Sequence, residues 1–175
     1  GAWGIGGQAY GSADQQESLR ALALAEELGC NFVDTAMVYG TSEATIGEFL
    51  RGRRDKWIVA TKYSGQQPGM TATLESQLKT LGTDRIDLYQ IHWVPKDPAQ
   101  PLYEELYRLK KAGKVRYVGV SLSSPADIDY VIDHTQIDSV QLPFSLLDPL
   151  PFLARARQFG ARDLAVVARS SLKEG

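Results

Sequence analysis

A short apolar run that ends in an ionisable residue recurs along this chain at intervals of about thirty residues, and few architectures accommodate such a rhythm. Phe32-Val33 runs into Asp34, Trp57-Ile58-Val59-Ala60-Thr61 into Lys62, and Ile86-Asp87-Leu88-Tyr89-Gln90-Ile91 into His92. A run of that kind reads as a buried strand whose last side chain reaches the rim of a sheet. Segments of helical periodicity separate the runs, which favours a parallel sheet with right-handed crossovers. If the strands are parallel neighbours, their C-terminal ends converge. Asp34, Lys62, His92 and Tyr39, from the turn Val38-Tyr39-Gly40, then meet in one cleft.

The helices are marked by their ends. Asp14 and Glu17 form a capping-box variant ahead of Leu19, Leu22, Ala23 and Leu28, and Gly29 stops that helix. Ser42 is expected to cap a second helix carrying Ile46, Phe49 and Leu50. It ends near Gly52 in the basic run Arg51 to Lys56, which reads as a solvated helix end. Thr71 opens a third, with Leu74, Leu78 and Leu81 on one face and Gly82 at its end. A proline-rich loop, Trp93 to Pro101, leads to a helix lined by Leu102, Leu106 and Leu109 and stopped at Gly113. Strands are expected over Lys114 to Val120, Ser139 to Leu142 and Leu164 to Ala168. Ser124-Pro125 starts a helix buried through Ile128, Val131 and Ile132, and Leu153 to Phe159 gives another.

Gly1 to Gly7 begins as if inside a strand, its glycines allowing a sharp turn or a close approach to a ligand. Its glycine pattern lacks the flanking strand and helix of a dinucleotide fingerprint. Six to seven units of strand and helix point to a parallel (β/α)8 TIM barrel, incomplete, as a single partial domain over residues 1–175. A whole barrel takes ~250 residues, so the start of the first strand and everything after the seventh are expected to be missing. Unpaired edges would promote self-association or dependence on a partner.

Lys and Arg number 19 against 21 Asp and Glu, a net charge of -2, which gives no pull toward nucleic acid or an anionic membrane. No apolar run approaches the ~20 residues of a membrane helix. Cys30 is the only cysteine, which suits a reducing compartment such as the cytoplasm, and with two histidines makes no case for a structural metal site. His134, among polar neighbours, reads as a surface residue at a helix C-terminus.

At the rim, Tyr39 and Lys62 are the informative pair. A phenol of pKa ~10 is a poor acid–base group near neutrality unless something stabilises its anion, and a lysine cation does so. Asp34 would hold that lysine charged and oriented, while a neutral His92 would donate a hydrogen bond to a substrate oxygen. Such a set suits proton donation to a carbonyl oxygen. Each residue also has a plainer use, since a strand-end Asp caps turns and a strand-end Lys reaches solvent.

These residues and their surroundings resemble the aldo-keto reductase superfamily from end to end. The matching segments are Asn31 to Ala36 with Val38-Tyr39-Gly40 and Ser42-Glu43, Ile58 to Lys62, Asp84 to His92, Gly113 to Ser121, and Val140 to Phe144. The resemblance implies a nicotinamide-dependent reductase of aldehydes or ketones, using NADP(H) with NAD(H) as the alternative. Tyr39 would be the general acid, tuned by Lys62, with Asp34 paired to the lysine and His92 orienting the carbonyl. It further implies that Ser121 and Gln141 hold the nicotinamide carboxamide and that Phe144 stands in for a stacking tyrosine. Ser170, Ser171 and Leu172 belong to a pyrophosphate loop in which Ser171 replaces a proline. Leu122 departs from an asparagine that many relatives use on the carboxamide. Trp3 and Trp93 match substrate-pocket positions. Relatives of the barrel also serve as non-catalytic, cofactor-sensing partners of membrane channels, and a truncated chain with an unfinished cofactor site is a third reading.

Overall fold

The computed structural model describes residues 1–7, 11–97, 99, 101–145 and 147–171. Six strands, β1 (Phe32–Asp34), β2 (Ile58–Tyr63), β3 (Ile86–Ile91), β4 (Val115–Ser121), β5 (Ser139–Pro143) and β6 (Ala165–Arg169), pair in that order, all in parallel. Helices α1 (Gln15–Glu27), α2 (Ser42–Phe49), α3 (Met70–Leu81), α4 (Leu102–Lys111) and α5 (Pro125–His134) alternate with them, and α6 (Leu150–Leu153) and α7 (Ala156–Ala161) join β5 to β6. The sheet curls into part of a (β/α)8 barrel. No helix among the described residues is long and apolar enough to cross a membrane.

β3 is buried along its whole length. A parallel strand in such a fold is covered on both faces, by the barrel interior and by the outer helices. Leu74, Leu78 and Leu81 of α3 and Leu106 and Leu109 of α4 supply the outer cover. Each such leucine contributes ~1.5–3 kcal/mol by leaving water. The helix ends follow the sequence where capping is local: Asp14 accepts from the Glu17 N–H at 2.8 Å, and Ser124 and Asp127 close a capping box on α5. Gly82, at φ 62°, takes the left-handed position that ends α3.

Four local expectations are corrected. The opening segment forms a 3-10 turn over Gly4–Gly6 rather than a strand, and the Ala2 N–H donates to the Asp34 carbonyl of β1 at 2.7 Å. Gly6 is required there because a Cβ would lie 1.8 Å from the Tyr39 carbonyl oxygen, so the close approach is to the Tyr39 turn. Ser42 does not cap α2. Its buried hydroxyl bonds Thr35 Oγ1 at 2.8 Å and the Ala2 carbonyl at 3.0 Å, tying the turn to the opening segment.

The basic run is a solvated helix end only in part: Arg51 and Lys56 are exposed, but Arg54 is not. Arg54 donates to the Trp57 and Arg85 carbonyls, to Thr83 Oγ1 and to Asp87 Oδ2, the last at 2.7 Å. Asp87 in turn accepts the Val59 N–H at 2.9 Å, so one ion pair clasps β2 to β3 at the end opposite the strand-end residues. Finally, the helix expected over Leu153 to Phe159 is broken into α6 and α7. Arg155, at the break, turns the Nε–Nη2 edge of its guanidinium to the two carboxylate oxygens of Asp129 of α5, at 2.8 and 2.7 Å.

Candidate active site

The parallel register brings the strand-end residues together. Lys62 of β2 stands level with Gln90 of β3, and Gln90 with Gly119 of β4, while Ser121, Gln141 and Val167 form a second row across β4, β5 and β6. Asp34, at the end of β1, receives the Lys62 ammonium at 2.6 Å, and the Thr35 carbonyl takes a second bond from it at 2.8 Å. Lys62 is fully buried. Burial pushes its proton affinity down and Asp34 pulls it back up, so an uncompensated change at Asp34 would leave a bare buried cation.

Tyr39, half-buried, extends its hydroxyl to 3.4 Å from His92 Nε2, with the rings edge to face at 5.8 Å. The Lys62 ammonium lies 5.3 Å from the Tyr39 ring centre. Desolvation first, and then the Asp34 charge, raise the Tyr39 pKa above its ordinary 10.0. The phenol therefore stays protonated at neutral pH, and the Arg169 charge opposes the rise. Burial, followed by the Lys62 charge, lowers His92 below 6.5, which leaves the imidazole neutral at pH 7. Ser64 Oγ sits 2.7 Å from His92 Nδ1. When that hydroxyl donates, the ring proton is on Nε2, facing Tyr39 and the cleft.

A cavity of about 880 Å³ opens above this group, lined by Trp3, Asp34, Tyr39, His92, Ser121, Gln141, Ser170 and Ser171 among others. Ser121 and Gln141 are buried, and among the described residues neither side chain has a hydrogen-bond partner, so both polar ends are available to a ligand. Phe144 is absent from the lining; it packs against the core, with its N–H donating to the Arg169 carbonyl. Trp93 likewise packs on Tyr63, at 6.0 Å between ring centres, and not on the cleft. The Leu122 side chain points into the core, fully buried. Leu172 lies outside the described residues. His134 stacks on Tyr130 at the exposed end of α5.

Sequence reasoning missed three contributors. Ser64 follows the Lys62 strand in what reads as a polar loop. Glu43 is buried beneath Lys62, where it accepts from Thr61 Oγ1 at 2.5 Å and from Gln77 Nε2 at 2.8 Å; Tyr89 completes the chain by donating to Gln77 at 2.9 Å. Arg169 lines the cavity. Its only sequence signal is its place at the end of an apolar run, the same signal that marks Asp34, Lys62 and His92.

A partial (β/α)8 barrel whose strand ends gather a buried lysine–carboxylate pair, a neutral imidazole and a protonated phenol defines an acid–base centre in a barrel mouth. The chain belongs to the aldo/keto reductase family, whose sequence profile matches residues 1–175. It is 33% identical over 164 residues to aldo-keto reductase YhdN of Bacillus subtilis, a match covering 85% of this chain and 50% of that protein. Among solved structures, the holo form of aldo-keto reductase AKR11C1 from Bacillus halodurans superposes with a TM-score of 0.86 at 28% identity, covering 99% of this chain and 61% of that one. The aldo/keto reductase of Klebsiella pneumoniae in complex with NADP and acetate gives 0.82 at 25%, covering 97% and 62%. The chain thus spans between half and two thirds of the length of these relatives.

Proposed function

We propose that the protein reduces an aldehyde or ketone to an alcohol with NADPH, the proton coming from Tyr39. The observation that carries this reading is the convergence of the Tyr39 hydroxyl and His92 Nε2, 3.4 Å apart, above the buried Lys62–Asp34 pair. A carbonyl oxygen seated between the two would accept hydrogen bonds from both. NADPH, when bound, would supply a hydride to the carbonyl carbon. Ser121 and Gln141, polar, buried and without internal partners among the described residues, fit a carboxamide that both donates and accepts. Ser170 and Ser171, which line the cavity, would offer their hydroxyls to the phosphate oxygens. The NADP complex of the Klebsiella relative supports the choice of NADP(H).

As negative charge develops on the oxygen, Tyr39 gives up its proton to it. His92 stays neutral and keeps the oxygen in place through Nε2–H. The tyrosinate left behind faces the Lys62 ammonium, which Asp34 and the Thr35 carbonyl hold in position. Water then returns a proton to Tyr39.

Oxidation of NADPH, followed by its near-ultraviolet absorbance with a reactive aromatic aldehyde, tests this on the chain and on a C-terminally extended form. Tyr39→Phe is expected to lower turnover by roughly a hundredfold or more while NADPH still binds, since only the proton donor is removed. NADPH binding without reduction of any member of an aldehyde and ketone panel would sink the reductase reading and favour a cofactor-sensing role. Self-association through the outer edges of β1 and β6 belongs to the same proposal, and sedimentation velocity reads it out.

A further inference from the structure

Resting on the reductase reading, we propose that Ser64 is a positioning residue of the acid–base centre: its hydroxyl holds the His92 ring proton on Nε2 and thereby keeps the Tyr39 proton turned to the substrate. Strand register brings the two residues together. Tyr63 stands level with Ile91, so the next residues, Ser64 and His92, leave β2 and β3 side by side, and the His92 N–H donates to the Tyr63 carbonyl at 2.9 Å. A tight turn then fixes Ser64. Its N–H donates to Gln66 Oε1 at 2.9 Å, the Tyr63 hydroxyl donates to the Gln66 carbonyl at 3.2 Å, and Gly65 takes a left-handed φ of 87° between them.

The two contacts of the imidazole differ in length, and the difference assigns the protons. Ser64 Oγ lies 2.7 Å from Nδ1, the separation of a hydroxyl that donates, whereas a ring N–H donating to oxygen settles at about 2.9 Å or more. Tyr39 Oη is 3.4 Å from Nε2, longer than a donating phenol adopts. Among the described residues the Ser64 hydroxyl has no other hydrogen-bond partner, so donation to Nδ1 is also what satisfies it. The opposite tautomer reverses each bond. With the proton on Nδ1, the ring donates to Ser64 and a bare Nε2 draws the Tyr39 proton to itself, so a carbonyl oxygen in the cleft meets neither donor. One hydrogen bond of ordinary strength shifts such a balance by about fivefold to tenfold. Without Ser64 the Tyr39 hydroxyl is left as the ring's partner, and it favours the unproductive form.

The chain has two histidines, so His134→Gln, at an exposed site away from the cleft, leaves His92 as the single imidazole in a nitrogen-15 spectrum. Long-range proton–nitrogen correlation at neutral pH then reads which ring nitrogen carries the proton. In the cofactor-free protein it is expected on Nε2, and Ser64→Ala is expected to move the signals toward the Nδ1–H form. With NADPH and a reactive aromatic aldehyde, Ser64→Ala should lower kcat by about fivefold or more while NADPH affinity stays unchanged. Ser64→Thr, which keeps the hydroxyl, should restore both the tautomer and kcat. A proton on Nδ1 in the natural protein would overturn the inference. So would a tautomer that Ser64→Ala leaves unaltered, or a loss of kcat shared by Ala and Thr. The spectra need no turnover, so a protein that reduces no carbonyl would defeat the reductase reading while the tautomer still decides the role of Ser64.

Discussion

Glu43 shows how much a single buried carboxyl contributes beneath a site it does not touch. Desolvation raises its pKa above 4.5, while the bonds from Thr61 and Gln77 and the Lys62 charge oppose the rise. Between 4.5 and that raised value the folded chain holds more of this proton than the unfolded chain does. The stabilisation from this group is therefore complete below pH 4.5 and is lost as pH climbs through the folded pKa. Glu43→Gln removes the titration and puts an amide against the Gln77 amide, at a cost of about 1–3 kcal/mol from the broken network. Urea unfolding of both proteins at pH 4.5 and 8 should show the natural protein's advantage shrinking at the higher pH; a gap that widens would refute this account. At this scale the sequence disclosed Asp34, Lys62 and His92, because each ends an apolar run. It hid Glu43, Gln77 and Ser64, whose partners lie on other elements and whose neighbours in sequence carry no periodic signal. Arg169 carried the same signal as those three strand-end residues.

Elements are pinned by contacts at both of their ends, and the two ends do different things. At the C-terminal ends of β2 and β3 stand Lys62 and His92; at the N-terminal ends stand Arg54 and Asp87, a pair far from the cleft that joins the two strands. Conserving geometry at that lower end is a matter of stability rather than chemistry in this fold. Arg54→Ala would leave the Asp87 carboxylate buried without its cation, which costs about 3–5 kcal/mol. Thermal unfolding should drop accordingly, whereas kcat measured well below the new midpoint should be retained. A loss of kcat with an unchanged midpoint would show that the pair acts on the cleft instead. The strand–helix alternation was legible from apolar periodicity, and the caps at Asp14 and Ser124 from local spacing. The 3-10 turn at Gly4–Gly6 was not, because Gly6 answers to the Tyr39 turn more than thirty positions away in sequence. Nor was the break between α6 and α7, where Arg155 is drawn to Asp129.

Across the whole molecule burial is uneven, and the uneven part is the side where ligands would sit. β3 is buried at every position and paired on both sides, whereas β6 is nowhere fully buried and, among the described residues, pairs only with β5. The connection before β6 leaves Leu147, Leu150 and Leu153 exposed. Few buried apolar contacts and an outer edge of unpaired amides place a segment at the low end of local stability. Hydrogen exchange followed by mass spectrometry should therefore find the Ile86–Ile91 amides exchanging only by global unfolding, and those of Ala165–Arg169 about tenfold faster or more through local opening. Val167, Arg169, Ser170 and Ser171 all line the cavity, so any ligand that fills it closes contacts on this partly exposed strand and the residues after it. NADPH should slow exchange in β6 and hardly change it in β3, because a ligand that binds only the closed form suppresses the opening by its own binding free energy. Equal protection of β3 and β6 in the free protein would contradict the uneven stability, and ligand protection confined to β3 would place the bound molecule elsewhere than the cleft.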